Sequence, residues 1–224
     1  TSTQHAIGQT LLRHKTIYRG WDFGWHCPVC ILAQIDGQGR LVLLKEVVGS
    51  KQTTHDFASD VIRKCVEWFP NHAAGFEDYC DPAGQQLKSM ESEKNERRDT
   101  EVLSGLGINA SFEYGWSRKD ARTLILRLLM IRTDGTPSMF ADPEGCPLTT
   151  QSFLGRYVYP TSKDGRQKED PDDATHPWAD CMAAVRYLVI GLHRKLGLMR
   201  YAIESSPLRT EAAQRYQGYG TPVR

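Results

Sequence analysis

The sequence carries almost no net charge, +1 over 224 residues. No global field therefore draws it to nucleic acid, and any such binding needs a local patch. It has no apolar run approaching the roughly 20 residues of a membrane helix, and no signal peptide opens it, so no membrane partner is expected. It has no phosphate loop of the GxxxxGKS or GxxxxGKT type, and Gly49-Ser50-Lys51 does not supply one, so ATP hydrolysis of that kind is not expected. It has no internal repeat. The first residue is Thr rather than Met, which leaves the expectation of a piece of something longer.

Cysteine is present, six times, but without a framework. Four of the six fall inside apolar strand or helix patterns, so reduced intracellular thiols are expected. Cys27-Pro28-Val29-Cys30 has the CxxC spacing of a zinc knuckle or redox motif. No second CxxC exists, His26 is too close in sequence to complete the site, and zinc would need two more ligands from afar. The composition, 40% hydrophobic and 25% charged, is that of an ordinary globular chain long enough to bury a full core.

The stretch Ile17-Tyr18-Arg19-Gly20-Trp21-Asp22-Phe23-Gly24 reads as a strand. Ile17, Arg19, Trp21 and Phe23 share one face, and Tyr18, Gly20 and Asp22 the other. Both faces are largely apolar, so Asp22 lies where an unpaired carboxylate is costly. Val29 to Ile35 and Leu41 to Val48 read as the next strands, joined by the Asp36-Gly37-Gln38-Gly39 turn, which completes an antiparallel meander. A helix follows from about His55 to Trp68, capped by Thr54 or Asp56, then a strand from Ala73 to Cys80. A crossover helix implies that this strand lies parallel in the same sheet; beside the first strand, it would bring Asp81 next to Asp22.

Residues 85–100 read as a polar loop, 99–106 as a short helix and Asn109 to Tyr114 as a strand. Lys119 to Ile131 reads as a helix, Ser138 to Ala141 as a strand, Thr149 to Leu154 as helical and Arg156 to Pro160 as a strand. The last long helix spans Pro177 to about Leu196, with Pro177 at its first position. Its stripe is Trp178, Met182, Val185, Val189, Leu192 and Leu196, and Asp180 lies away from it, toward Ala184 and Tyr187. Glu46 and Asp120 read as surface charges. The sum is an α/β chain with a mixed sheet of five or more strands, meander plus parallel strands, and helices on both faces.

Asp22, Asp81 and Asp180 thus sit on three elements that this topology can bring together. Carboxylate clusters suit hard divalent cations such as Mg²⁺ or Mn²⁺, which relieve their mutual repulsion. Two such ions can activate a water and stabilise the leaving oxygen of a phosphodiester. Taken singly, Asp81 also reads as a turn residue before Pro82, and Asp180 as a first-turn acid that complements the helix dipole.

Gly20-Trp21-Asp22-Phe23-Gly24, the Asp81-Pro82-Ala83-Gly84 turn, and His176-Pro177-Trp178-Ala179-Asp180 followed by Ala184-Val185-Arg186-Tyr187 resemble motifs of the nuclease domain of the bacteriophage large terminase subunit, within the RNase H-like superfamily. The resemblance spans about residues 16–195. It implies a metal-dependent endonuclease that cuts concatemeric double-stranded viral DNA with two ions, Mg²⁺ or Mn²⁺, in the host cell cytoplasm. Asp22, Asp81 and Asp180 would be catalytic metal ligands and His176 an auxiliary one. It also implies as partners a terminase ATPase domain absent from this chain, the viral portal and the small terminase subunit. The chain then divides into a linker (1–15), the nuclease domain (16–200) and a tail (201–224).

Lys163, Arg166 and Lys168 flank an Asp164-Gly165 turn, and Lys88, Arg97 and Arg98 follow Asp81; these are the expected contacts to the DNA backbone. Nothing resembles a recognition helix, so little sequence specificity is expected. Two other readings stand: another RNase H-like enzyme, such as a junction resolvase or a transposase, and a non-enzymatic zinc-binding module built on Cys27 and Cys30.

Overall fold

The computed structural model describes residues 13–85, 98–161, 164–166 and 175–196. The expected tail, most of the expected linker, and Lys88, Arg97, Lys163 and Lys168 lie outside the described residues.

The chain opens with the meander β1 (Ile17–Asp22), β2 (Val29–Ile35) and β3 (Leu41–Val48), antiparallel throughout. Helix α1 (Thr54–Trp68) then crosses to β4 (Phe76–Cys80), which lies parallel beside β1. A 3₁₀ turn (Pro82–Gln85) follows, then α2 (Asp99–Gly105), β5 (Ala110–Ser111), α3 (Arg118–Leu129) and β6 (Met139–Ala141). Helix α4 (Pro147–Gln151) runs into a π-helical turn (Ser152–Arg156), and α5 (Trp178–Leu196) comes last. The strand order is β5-β4-β1-β2-β3-β6, with both edge strands parallel to their neighbours.

Alternation along the strands sorts side chains to two cores. Ile17, Trp21, Cys30, Leu32 and Val47 pack with α1 and α2 on one face. Val29, Ile31, Ala33 and Leu43 pack with α3 and α5 on the other. Arg19 is buried on the α1 face beside Asp78, which accepts from its Nε at 2.7 Å and Nη2 at 2.8 Å, and from Trp21 Nε1 at 2.7 Å. That fork of donors satisfies the buried carboxylate and pairs it with a buried guanidinium under the sheet.

Several local expectations are corrected. Thr53, not Thr54 or Asp56, caps α1: its hydroxyl accepts from the Asp56 N–H at 3.1 Å. The strands expected from Ala73 and over Asn109–Tyr114 shrink to Phe76–Cys80 and to two residues, Ala110–Ser111, at a sheet edge. Arg156–Pro160 is not a strand. Arg156 ends the π-helical turn, Gly155 there has φ 112°, and Tyr157 is drawn to α5 by a hydrogen bond from Arg186 Nη1 at 3.2 Å. Glu46 is not a surface charge: it accepts from the Leu148 and Thr149 N–H groups at 2.7 and 2.9 Å and so caps α4. Asp120 is exposed as expected, in a capping box with Ser117. Helix α5 begins at Trp178 rather than Pro177 and is buried nearly all round, not along one stripe, because sheet, α3 and α4 enclose it.

Candidate metal centre

The site forms where β1, β4 and α5 meet. Trp21 pairs with Cys80, so the next residue on each parallel strand, Asp22 and Asp81, ends adjoining strands at the same edge of the sheet. The 3₁₀ turn folds back at once. The Asp81 Oδ1 accepts from the Ala83 N–H at 2.8 Å, and Gly84 lies close against the Phe23 ring. Asp81 is therefore a turn residue as well as a candidate site residue.

Helix α5 brings the third acid. Gly20 has no side chain to hold the helix away: a Cβ there would lie 2.5 Å from the Ala184 carbonyl oxygen and 2.6 Å from Leu188 Cβ. Asp180 stands one turn before Ala184, just as Asp22 stands two residues beyond Gly20. Its side chain is only 12% exposed.

Two side chains, Tyr187 and Cys27, each contact one of the acids. Tyr187 donates its hydroxyl to Asp81 Oδ2 at 2.7 Å. Burial first, then the charges of Asp22 and Asp81, push its phenol well above the ordinary range. Burial, followed by Asp180 as charge and hydrogen-bond partner and then Asp22, pushes the Cys27 thiol up to about 12. The charge of Asp22 is felt at both Tyr187 and Cys27, so all three carboxylates lie in the same neighbourhood. His176 Nδ1 lies 2.7 Å from Asp180 Oδ2, so the imidazole orients that carboxylate. Tyr187 and Cys27 had no such role in the sequence reading. Tyr187 was legible only as lying on the Asp180 side of α5, and Cys27 only as half of a CxxC.

Carboxylate oxygens of this kind fit a hard divalent cation in donor chemistry. They do not form a preformed cage: among the described residues, no three His, Cys, Asp or Glu side chains are grouped to hold an ion. The zinc reading fares worse. Cys27 packs in the α5-side core and Cys30 in the α1-side core, so the pair does not face one ion. Both thiols are shifted up, chiefly by burial, which opposes the thiolate that zinc requires.

Of the expected DNA contacts, Arg98 and Arg166 fall among the described residues. Arg98 precedes α2 and pairs with Glu101 at 3.5 Å. Arg166 is 88% exposed, 3.7 Å from Asp164.

The fold is RNase H-like in architecture, a mixed sheet of antiparallel meander and parallel strands with helices on both faces. Among solved structures, the chain is similar to the large terminase nuclease domain of bacteriophage SPP1 with bound Mn. The TM-score is 0.50 at 17% identity, over 81% of this chain and 88% of that one. It is also similar to the large terminase of a thermophilic bacteriophage, with TM-score 0.57 at 15% identity, over 81% of this chain and 41% of that one. The chain thus spans less than half of that longer terminase. The yeast mitochondrial Holliday junction resolvase Ydc2 matches at TM-score 0.41 and 13% identity, over 84% of this chain and 83% of that one. No protein-family model and no curated protein matches. Among the described residues, no helix is long and apolar enough to cross a membrane.

Proposed function

We propose that this chain is a metal-dependent endonuclease that hydrolyses double-stranded DNA, and that it serves as the nuclease part of a viral packaging terminase. The observation that supports the reading is that the ends of β1 and β4 and the first turn of α5, which carry Asp22, Asp81 and Asp180, adjoin at one edge of the sheet. In this reading Asp22, Asp81 and Asp180 hold Mg²⁺ or Mn²⁺, two ions when fully loaded. Such ions supply a nucleophilic hydroxide at neutral pH and charge neutralisation at the leaving oxygen.

The chain's own groups do the rest. Tyr187 holds one oxygen of Asp81 and the Ala83 N–H holds the other, which fixes the orientation of that carboxylate. His176 does the same for Asp180, as a positioning group or as a ligand in its own right. Gly20 sets the distance between helix and strand and so the spacing of Asp180 from Asp22. Lys88, Arg97, Arg98, Lys163, Arg166 and Lys168 would contact backbone phosphates and position the duplex without reading its sequence. Concatemer cutting, an ATPase domain, the portal, the small terminase subunit and the host cytoplasm belong to the same proposal and rest on the fold likeness.

The test is incubation with linear and supercoiled plasmid in Mn²⁺, Mg²⁺ or EDTA, alongside Asp22→Asn and a four-way DNA junction. Cutting that is lost in EDTA and in the variant is expected. Selective cutting of the junction would replace the terminase reading with a resolvase, and metal-independent cutting would sink both.

A further inference from the structure

A cleft of about 160 Å³ opens beside Asp81 and extends away from it past Tyr187, which holds that carboxylate. Asp81 and Tyr187 form one end, and Arg118, Arg186, Phe112 and Trp116 contribute to its walls. Its volume is room for about five waters. That is far too small for a duplex and about right for the base of one nucleotide.

The wall chemistry narrows the occupant. Arg186 is nearly buried and is held by Tyr157, with Nη1 3.2 Å from the phenol oxygen. Trp116 is held edge-on by His193, with ring centroids 5.1 Å apart. Phe112 packs in the same way against Tyr114, at 5.2 Å. Trp116 is thus the cleft's fixed ring, Phe112 packs toward the α1-side core, and Arg118 stands exposed at the first position of α3. Glu113 also lines the cleft, so its charge is mixed and a compact anion such as a lone phosphate is a poorer fit than a base with its backbone at the rim. A fixed aromatic ring beside guanidinium groups is how single-stranded nucleic acid is gripped: a base stacks and the backbone meets the cations.

We infer that this cleft receives one unpaired nucleotide of the DNA strand being cut, next to the phosphodiester at the acids. The inference rests on the nuclease reading for the identity of the strand, but not for the binding itself. A strand reaching the acids from this side must leave its partner at that nucleotide, so a frayed or mismatched step at the cut should be preferred over a fully stacked one.

The test measures fluorescence anisotropy of a labelled oligodeoxythymidylate of about five nucleotides in EDTA, on the purified chain. Two variants probe the cleft differently. Arg118→Glu reverses the charge at an exposed helix start, where an acid suits the helix dipole, so folding is not threatened. Ser111→Trp fills the cleft and leaves its charges in place. Both should bind about tenfold more weakly with an unchanged melting temperature. Arg118→Glu should also flatten the salt dependence of log K by about 0.7 or more. Wild-type affinity in both variants, or no binding by the wild type, overturns the inference. Plasmid cutting by the wild type in Mn²⁺ is scored separately. Cutting with unaltered oligonucleotide binding in both variants leaves the nuclease and removes the cleft; no cutting with the expected binding losses does the reverse.

Discussion

Replacing Gly20 by alanine tests the packing that brings helix and strand together. The new methyl carbon would lie 2.5 Å from the Ala184 carbonyl oxygen and 2.6 Å from Leu188 Cβ. Both contacts are closer than carbon tolerates, and the first is to backbone, which cannot rotate away. Overpacking of this kind costs about 1–3 kcal/mol. The entropy that alanine removes from the unfolded chain returns about 0.4–1 kcal/mol. The net should be about 2 kcal/mol of destabilisation, since the obstructing atom is main chain. With a urea slope of about 2 kcal/mol/M, the unfolding midpoint falls by about 1 M. Gly37→Ala is the control: nothing lies within 4 Å of its would-be Cβ and its φ is not left-handed. A helix pushed outward by even about 1 Å also carries Asp180 from Asp22, and the cleavage rate should fall on the order of a hundredfold under conditions where the variant stays folded. An unchanged midpoint at an unchanged slope for Gly20→Ala would refute the packing argument, whatever the activity.

Asp78→Ala should cost about 3–5 kcal/mol in the same denaturation assay, because it strands the buried Arg19 guanidinium without its carboxylate; a loss below about 1 kcal/mol would mean that Arg19 escapes to water. Asp36→Asn should show a pH-dependent deficit. Burial by itself would raise the Asp36 carboxyl, but hydrogen bonds from the Arg40 backbone and guanidinium and from the Gln38 backbone outweigh it and hold it below the usual carboxylate range. Its folded pKa therefore lies under the unfolded value of about 3.9, so its contribution is complete above that pH and fades as the pH falls through the folded value. The stability gap between wild type and variant should hold steady at neutral pH and close in acid; a gap that widens in acid would reverse the sign.

What the sequence determined by itself was whatever one segment reveals by its own period. Two-residue alternation put Gly20 and Asp22 on one face of β1 and Trp21 on the other. The Asp36-Gly37 turn set the meander, and the crossover through α1 set β4 parallel in the same sheet, whereas its place beside β1 came from the tertiary structure. The tertiary structure decided which side chains from distant segments meet. Tyr187 reaches Asp81 across 106 residues and Glu46 caps α4 across 102, and no local pattern encodes either contact. It also decided that Cys27 and Cys30, three apart in sequence, belong to opposite cores. A motif's spacing is read along the chain, whereas the direction a side chain points is set by the sheet between them. For the same reason the Arg156–Pro160 run, apolar enough to pass for a strand, pairs with no sheet edge: a strand exists only where another offers its hydrogen bonds.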